Sequence, residues 1–236
     1  MVNPNQQVPP DAGEILDSLR SPVIAITRCG VLMGCRFTKL ACRVSWIATG
    51  VEGLEKIDSP VLFAANHQSH VDTHVILDVL PRYRRNQTFV AAAFDHFGNS
   101  NGSSMKRKVI QFTVLAVWNA FGIERVGSPL RSIRTMSSLL KQGYSILMYP
   151  EGTRSETDDI APFKPGLAVI AKLANCPVIP VFVAGGRTIL PKATLVPRAG
   201  SMQISFGIPL LIQTDESAED FTIRVEKAVR ELATST

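Results

Sequence analysis

Charge is scarce in this chain: Asp, Glu, Lys and Arg make up 19% of its 236 residues, where an average globular domain carries about 25%. With apolar residues at 45%, so little charge excludes an intrinsically disordered chain. Aromatics are few as well, at 7%, and the Lys and Arg residues are scattered through apolar segments. That pattern lacks the interleaved aromatic and basic groups of a single-strand nucleic-acid surface, so no nucleic-acid partner is expected. The four cysteines, Cys29, Cys35, Cys42 and Cys176, include no CxxC pair, which excludes the usual structural zinc and dithiol redox spacings. Reduced, mostly buried thiols are the expectation. No apolar run reaches the roughly 18 to 20 residues of a membrane span, because Arg28 and Arg36 interrupt the most apolar stretch. No G-x-S-x-G elbow for a serine nucleophile occurs, and no internal repeat. Met1 to Asp17 is polar and acidic with Pro9 and Pro10, so no cleavable secretion signal is expected.

What is present is enough length for one domain with a substantial core, and a formal net charge of +5. That balance suits an anionic membrane or an anionic substrate. After a loose leader, a helical pattern runs from about Leu19 or Pro22 to Trp46. At about 100° per residue, Arg28, Arg36, Lys39 and Arg43 share an arc of roughly 80°, opposite Ile26, Met33, Phe37, Leu40 and Val44. Residues 1–49 therefore read as a leader plus a basic amphipathic helical segment. Such a helix sets its cations beside lipid phosphates and its apolar face among acyl chains. Packing on its own domain is the other use of the same stripe.

From residue 50 to 236 short apolar runs alternate with helical ones. Val61–Ala65, Phe89–Phe94, Ile146–Tyr149, Val178–Ala184 and Met202–Phe206 are strand candidates, and most are continuously apolar. Strands of that kind are covered on both faces, which predicts an α/β fold with a mostly buried central sheet flanked by helices. Helices are expected over Asp72–Leu80, Arg107–Phe121, Leu130–Lys141, Gly166–Leu173 and Ser217–Leu232. The last has a capping start at Ser217 and Asp220 and an inward face of Phe221, Val225, Ala228, Val229 and Leu232.

The most informative stretch is Asn66-His67-Gln68-Ser69-His70-Val71-Asp72, directly after the first of these strands. On one continuous helix His67 and Asp72 would point about 140° apart. They meet only if the chain turns between them, and Ser69 allows that turn as an N-cap with Asp72 at N3. A carboxylate on one imidazole nitrogen fixes the tautomer, leaving the other nitrogen to take a proton from a hydroxyl. A plain helix cap is the alternative. His67, His70, Asp72 and His74 also crowd together, but three adjacent ligands on one turn converge poorly, so no metal is assigned.

Together with Tyr149-Pro150-Glu151-Gly152-Thr153-Arg154-Ser155, this stretch resembles the glycerophospholipid acyltransferase family, which includes the 1-acylglycerol-3-phosphate acyltransferases. The likeness runs from about Gly50 to Gly207, roughly two thirds of the chain. It implies that residues 50–236 are a catalytic domain in which His67 is the general base and Asp72 its partner, with no acyl-enzyme intermediate. Phe121-Gly122-Ile123-Glu124-Arg125 is similar to the family's second block, whose arginine holds the acceptor phosphate. On the residues alone Arg125 reads first as part of a surface turn, although a guanidinium beside a glycine-permitted bend is also shaped for bidentate phosphate contact. Glu151, Gly152, Thr153 and Arg154 resemble part of the glycerol phosphate site. A loop after a buried strand is where binding groups gather, and an internal Glu151 to Arg154 ion pair is the structural alternative.

Val178-Ile179-Pro180-Val181 resembles the fourth block, expected near an acyl or donor pocket, and Lys164-Pro165-Gly166 follows the glutamate loop, where the resemblance would set the lysine near phosphate. The sequence departs from the family at Asn101–Lys108, a polar, basic segment in place of a lysine-led helix. The likeness implies an O-acyltransferase of phospholipid biosynthesis, with no tightly bound cofactor. It would use acyl-CoA or acyl carrier protein as thioester co-substrate and lysophosphatidic acid as acceptor. Membrane lipids are implied partners, and the cytoplasmic face of a membrane is the implied place, with peripheral or monotopic attachment. Transfer to another lipid or glycolipid, or lipid binding without catalysis, are the competing readings.

Overall fold

A computed structural model describes residues 11–19, 22–93, 118–123, 129–157, 159–191, 194 and 196–235. Its centre is a seven-stranded sheet of β1 (Val44–Thr49), β2 (Leu62–Ala65), β3 (Thr88–Ala93), β4 (Ala120–Ile123), β5 (Ser145–Met148), β6 (Val178–Ala184) and β7 (Gly200–Phe206). The strand order is β1-β7-β6-β2-β5-β3-β4. Every neighbouring pair is parallel except β6 with β7, which run antiparallel in the register Val181 to Phe206.

The helices are α1 (Ala12–Leu19), α2 (Pro22–Ala41), α3 (Val51–Leu54), α4 (His70–Val79), α5 (Arg82–Asn86), α6 (Pro129–Lys141), α7 (Gly166–Ala174), α8 (Gly186–Ile189) and α9 (Ala218–Thr234). Strand side chains alternate between two apolar layers. Leu62, Ala64, Ile146, Met148 and Val178 face α6, α7 and α9, meeting Leu139, Leu167, Phe221 and Val225. Phe63, Ala65, Leu147, Ile179 and Val181 face the other way, onto Val75 and Ile76 of α4 and Ile189 of α8. Both faces are thus covered, and this is why the strands read as continuous apolar runs. The expected α/β architecture with flanking helices is what forms. On α9 the Ser217 hydroxyl accepts from the Asp220 N–H at 3.0 Å, and Phe221, Val225 and Val229 are fully buried.

Three elements differ from the sequence reading. Within the expected loose leader, α1 forms from Ala12, and Ala12 and Ile15 are buried in the core beside α6. The first long helix ends at Ala41, five residues before Trp46, and the chain turns at Arg43 with φ 53° into β1. Val44–Thr49 alternates buried and exposed positions, a period of two that marks a half-covered edge strand. Val44 therefore leaves the helical apolar stripe and is buried in the sheet. At the other edge, Asn119 turns with φ 49° and Ala120 and Phe121 belong to β4, where a helix was expected to end; residues 107–117 of that helical expectation lie outside the described residues.

On α2 the apolar stripe is open. Ile26, Met33, Phe37 and Leu40 are 66 to 79% exposed. Its other side meets the domain through Cys35, Thr38 and Lys39, which border one recess with Trp46 and His74. Lys39 Nζ lies 3.3 Å above the Trp46 ring, so this cation turns inward and not to solvent. Among the described residues no helix is long and apolar enough to cross a membrane.

Candidate active site

The site forms where β2 and β5 end. The chain leaves β2 at Ala65, turns through Asn66 to Ser69 and enters α4 at His70. Asn66 ties this turn to β6: its amide donates to the Val183 carbonyl at 2.9 Å, and its carbonyl accepts from the Val183 N–H at 2.7 Å. Ser69 is the N-cap and Asp72 occupies N3, as the spacing predicted. Asp72 Oδ2 accepts from the N–H groups of Gln68 and Ser69, each at 2.7 Å. His67 Nδ1 approaches the same oxygen at 3.0 Å. One carboxylate thus caps α4 and meets the imidazole, so the cap does not exclude the pairing with His67.

Asp72 is completely buried, while the His67 side chain keeps 13% exposure. A carboxylate already accepting two N–H bonds stays an acceptor, so Nδ1 is the protonated nitrogen and donates to it. The basic lone pair is then on Nε2. The other Asp72 oxygen, Oδ1, is buried with no hydrogen-bond partner among the described residues. It lies against Gly186 at the start of α8, where a Cβ would come within 2.1 Å of it. Nothing in the sequence motifs pointed to Gly186, 114 positions away.

The loop after β5 encloses His67 from the other side. Tyr149 stacks on the imidazole with ring centroids 3.9 Å apart and planes 16° from parallel. Its hydroxyl shares a 2.7 Å hydrogen bond with Thr73 Oγ1. Burial, and then the charge of Asp72, hold the Tyr149 phenol well above its ordinary value, against the pull of the Thr73 bond, so the hydroxyl stays neutral. Glu151 Oε1 accepts from the His67 backbone N–H at 2.6 Å and Oε2 from the Ala161 N–H at 2.8 Å. The Ser155 N–H donates to the His67 carbonyl at 2.8 Å. Glu151 is thus a buried brace between the loop that carries His67 and the loop after β5. It makes no pair with Arg154, which removes the internal ion-pair alternative. Burial raises the Glu151 carboxyl above its usual range, with the Ala161 and His67 N–H groups pulling it back down.

Gly152 has φ +81°, a conformation costly for other residues. Lys164 Nζ folds over it: a Cβ there would meet that atom at 2.7 Å. Thr153 is exposed and Arg154 half-buried. Neither Arg154 nor Lys164 has an acidic partner among the described residues. Two cations without carboxylates beside a glycine turn favour an anion there. Glu124 and Arg125 lie outside the described residues, as does the basic segment 101–108.

An apolar recess of about 200 Å³ opens beside the turn, bordered by Val71, Trp46, Trp118, Ile189 and Leu190. Ser69 Oγ donates to the Leu190 carbonyl at 2.6 Å, which anchors that wall to the turn that carries His67. Pro180 faces elsewhere. It borders a separate groove with Phe206, Gly207 and Leu232 that shares no residue with His67 or Asp72.

An imidazole held by a buried carboxylate, with cations on one side and an apolar recess on the other, is an arrangement that can take a proton from a hydroxyl. The chain belongs to the acyltransferase family, whose profile matches residues 48–184. It is 28% identical over 144 residues to the chloroplastic 1-acyl-sn-glycerol-3-phosphate acyltransferase BAT2 of Brassica napus, covering 60% of this chain and 38% of that protein. It is 25% identical over 177 residues to the 1-acyl-sn-glycerol-3-phosphate acyltransferase of Cocos nucifera, covering 72% and 51% respectively. The chain thus spans about half or less of the length of these plant relatives. A Bacillus subtilis 1-acyl-sn-glycerol-3-phosphate acyltransferase is 28% identical over 157 residues, 65% of this chain and 68% of that one. The same fold appears in the crystal structure of the 1-acyl-sn-glycerophosphate (LPA) acyltransferase PlsC from Thermotoga maritima. The TM-score is 0.65 at 23% identity, covering 94% of this chain and 88% of that one.

Proposed function

We propose that this chain transfers a fatty acyl group from a coenzyme A or acyl carrier protein thioester to the free hydroxyl of 1-acylglycerol-3-phosphate, giving phosphatidic acid. The observation that carries this reading is the 3.0 Å contact of His67 Nδ1 with a fully buried Asp72, set beside the cationic loop of Gly152, Thr153 and Arg154. His67 Nε2 takes the hydroxyl proton as the oxygen attacks the thioester carbonyl, and Asp72 stabilises the imidazolium that forms. The carbon–sulfur bond then breaks, and the thiolate leaves with that proton. Arg154, with Arg125 and the exposed Thr153, receives the acceptor phosphate. Glu151 and Gly152 shape the loop that presents it. The recess beside Leu190 accommodates the first part of the acyl chain. The names of the relatives support the acceptor, and the open apolar stripe of α2 supports work at a membrane surface, with the helix lying in the interface.

Thioester consumption with and without lysophosphatidic acid tests the reading. Turnover that requires the acceptor and yields phosphatidic acid is expected. Equal consumption without acceptor would make the chain a hydrolase, and no consumption with either thioester would make it a lipid-binding protein.

A further inference from the structure

A general base works through a lone pair that lies in the plane of its ring, so the orientation of that plane aims the base. The hydrogen bond to Asp72 holds one edge of the His67 imidazole, at Nδ1. A single contact leaves the ring able to tilt about it, and productive geometry tolerates only about 10–20°. The stacked Tyr149 ring, 3.9 Å away and 16° from parallel, removes that freedom. Tyr149 is itself held twice: by its backbone at the end of β5, and by its hydroxyl on Thr73 Oγ1. Thr73 follows Asp72 on α4, so one turn of helix carries both the carboxylate that grips the imidazole edge and the hydroxyl that fixes the ring covering its face. The contacts close into a cycle: His67 to Asp72, Asp72 to Thr73 along the chain, Thr73 to Tyr149, and Tyr149 back to His67.

We propose that Tyr149 is a positioning residue for the base: its ring fixes the plane of the His67 imidazole and covers the imidazolium that forms as the hydroxyl is deprotonated. The inference rests on His67 being the base. A cation over an aromatic face is attracted by the ring quadrupole, and that attraction exists only once the imidazole has taken the proton. The stack therefore acts on the transition state more than on the bound substrates, so its removal lowers kcat and leaves KM. The phenol hydroxyl contributes through the anchor on Thr73 and takes no proton from the substrate.

The full chain is assayed as Tyr149→Leu, Tyr149→Phe and His67→Ala, with kcat and both KM values measured beside the NMR signals of the histidine ring protons. Four histidines give few enough signals to assign His67 by its own replacement. Tyr149→Leu is expected to lower kcat roughly tenfold, with KM values within about twofold. It also moves the His67 ring-proton resonance downfield as the ring current is lost. Tyr149→Phe, which keeps the ring, brings kcat back to within about threefold of wild type and keeps the shifted resonance. If Tyr149→Leu gives no cooperative melt, Tyr149→Met refills the volume without a ring and carries the same expectation. A folded ringless variant with wild-type kcat, or a Phe variant as slow as the ringless one, overturns the role of the stack. Loss of activity in His67→Ala beside a fully active ringless variant leaves the base in place and removes only Tyr149. An active His67→Ala removes the base itself.

Discussion

Gly186→Ala isolates the support beneath Asp72. The backbone at Gly186 is not in the left-handed region, so alanine meets no conformational penalty there. Helix propensity alone would favour it by about 1 kcal/mol. Against this stands one contact: the new Cβ would lie 2.1 Å from Asp72 Oδ1 and 3.2 Å from its Cγ. The pair must open by about 1 Å to reach ordinary contact. Gly186 cannot yield easily, because it is buried in α8 and Met202 Cε would stand 3.4 Å from the same Cβ. Asp72 has to move, and it is held by His67 Nδ1 and the N–H groups of Gln68 and Ser69. Hydrogen bonds to a charged group contribute about 1.5–3 kcal/mol each. Partial loss of three, less the propensity gain, costs roughly 2–3 kcal/mol, or about 5–10 °C in Tm for a domain of this size. Displacing a catalytic pair by about 1 Å lowers turnover on the order of a hundredfold. Differential scanning fluorimetry and acceptor-dependent acyl transfer, run on one preparation, measure both. A Gly186→Ala variant that melts at or above wild type and keeps more than half its turnover would falsify the packing argument.

Other consequences follow from the same geometry. Arg154→Ala should weaken use of lysophosphatidic acid about tenfold or more relative to an uncharged monoacylglycerol, read as kcat/KM on matched acceptors. An equal loss on both would make Arg154 structural. Asp at both Phe37 and Leu40, which are 73% and 79% exposed, should abolish flotation with anionic vesicles while leaving Tm within about 2 °C. A large drop in Tm would show that these side chains pack on the domain. Burial holds His74 below the ordinary histidine value, with Lys39 and Arg85 acting the same way and Asp78 against them. The unfolded chain therefore takes up this proton first as pH falls. Stability from neutral His74 is full above about pH 6.5 and is lost below it, down through the lowered folded value. His74→Gln should flatten that part of the Tm profile, and an unchanged slope would contradict it.

The sheet was legible because its strands are apolar on both faces. Five of its seven strands were marked in advance: β2, β3, β5 and β6 by runs of Val, Ile, Leu, Phe and Ala, and β7 by Met202–Phe206. The two edge strands were not legible. β1 has the six residues Val44–Thr49 directly after a helix, and its alternation is short enough to extend a helical stripe on paper. β4 has four residues, of which only Ala120 and Phe121 are buried, too short a run to show a period. In the site, Ser69 and Asp72 could be placed from capping rules, since N-cap and N3 positions are fixed by helix geometry. The bracing role of Glu151 could not, because its partners are the backbone N–H groups of His67 and Ala161, and backbone donors carry no residue signature. Tyr149 was visible as part of a motif but silent about its neighbour. Gly186 sits in a Gly-Gly pair after an apolar strand, and only the position of Asp72 across the sheet shows why the second glycine has no side chain.

The proton transfer at His67 is the step on which the account stands. Turnover of lysophosphatidic acid and acyl thioester by His67→Ala, in protein whose circular dichroism and melt match wild type, measures it most directly. General-base catalysis of this kind contributes about 10²–10⁴-fold, so the variant should lose at least two orders of magnitude in kcat. Folded His67→Ala with turnover within tenfold of wild type would contradict the assignment of the base.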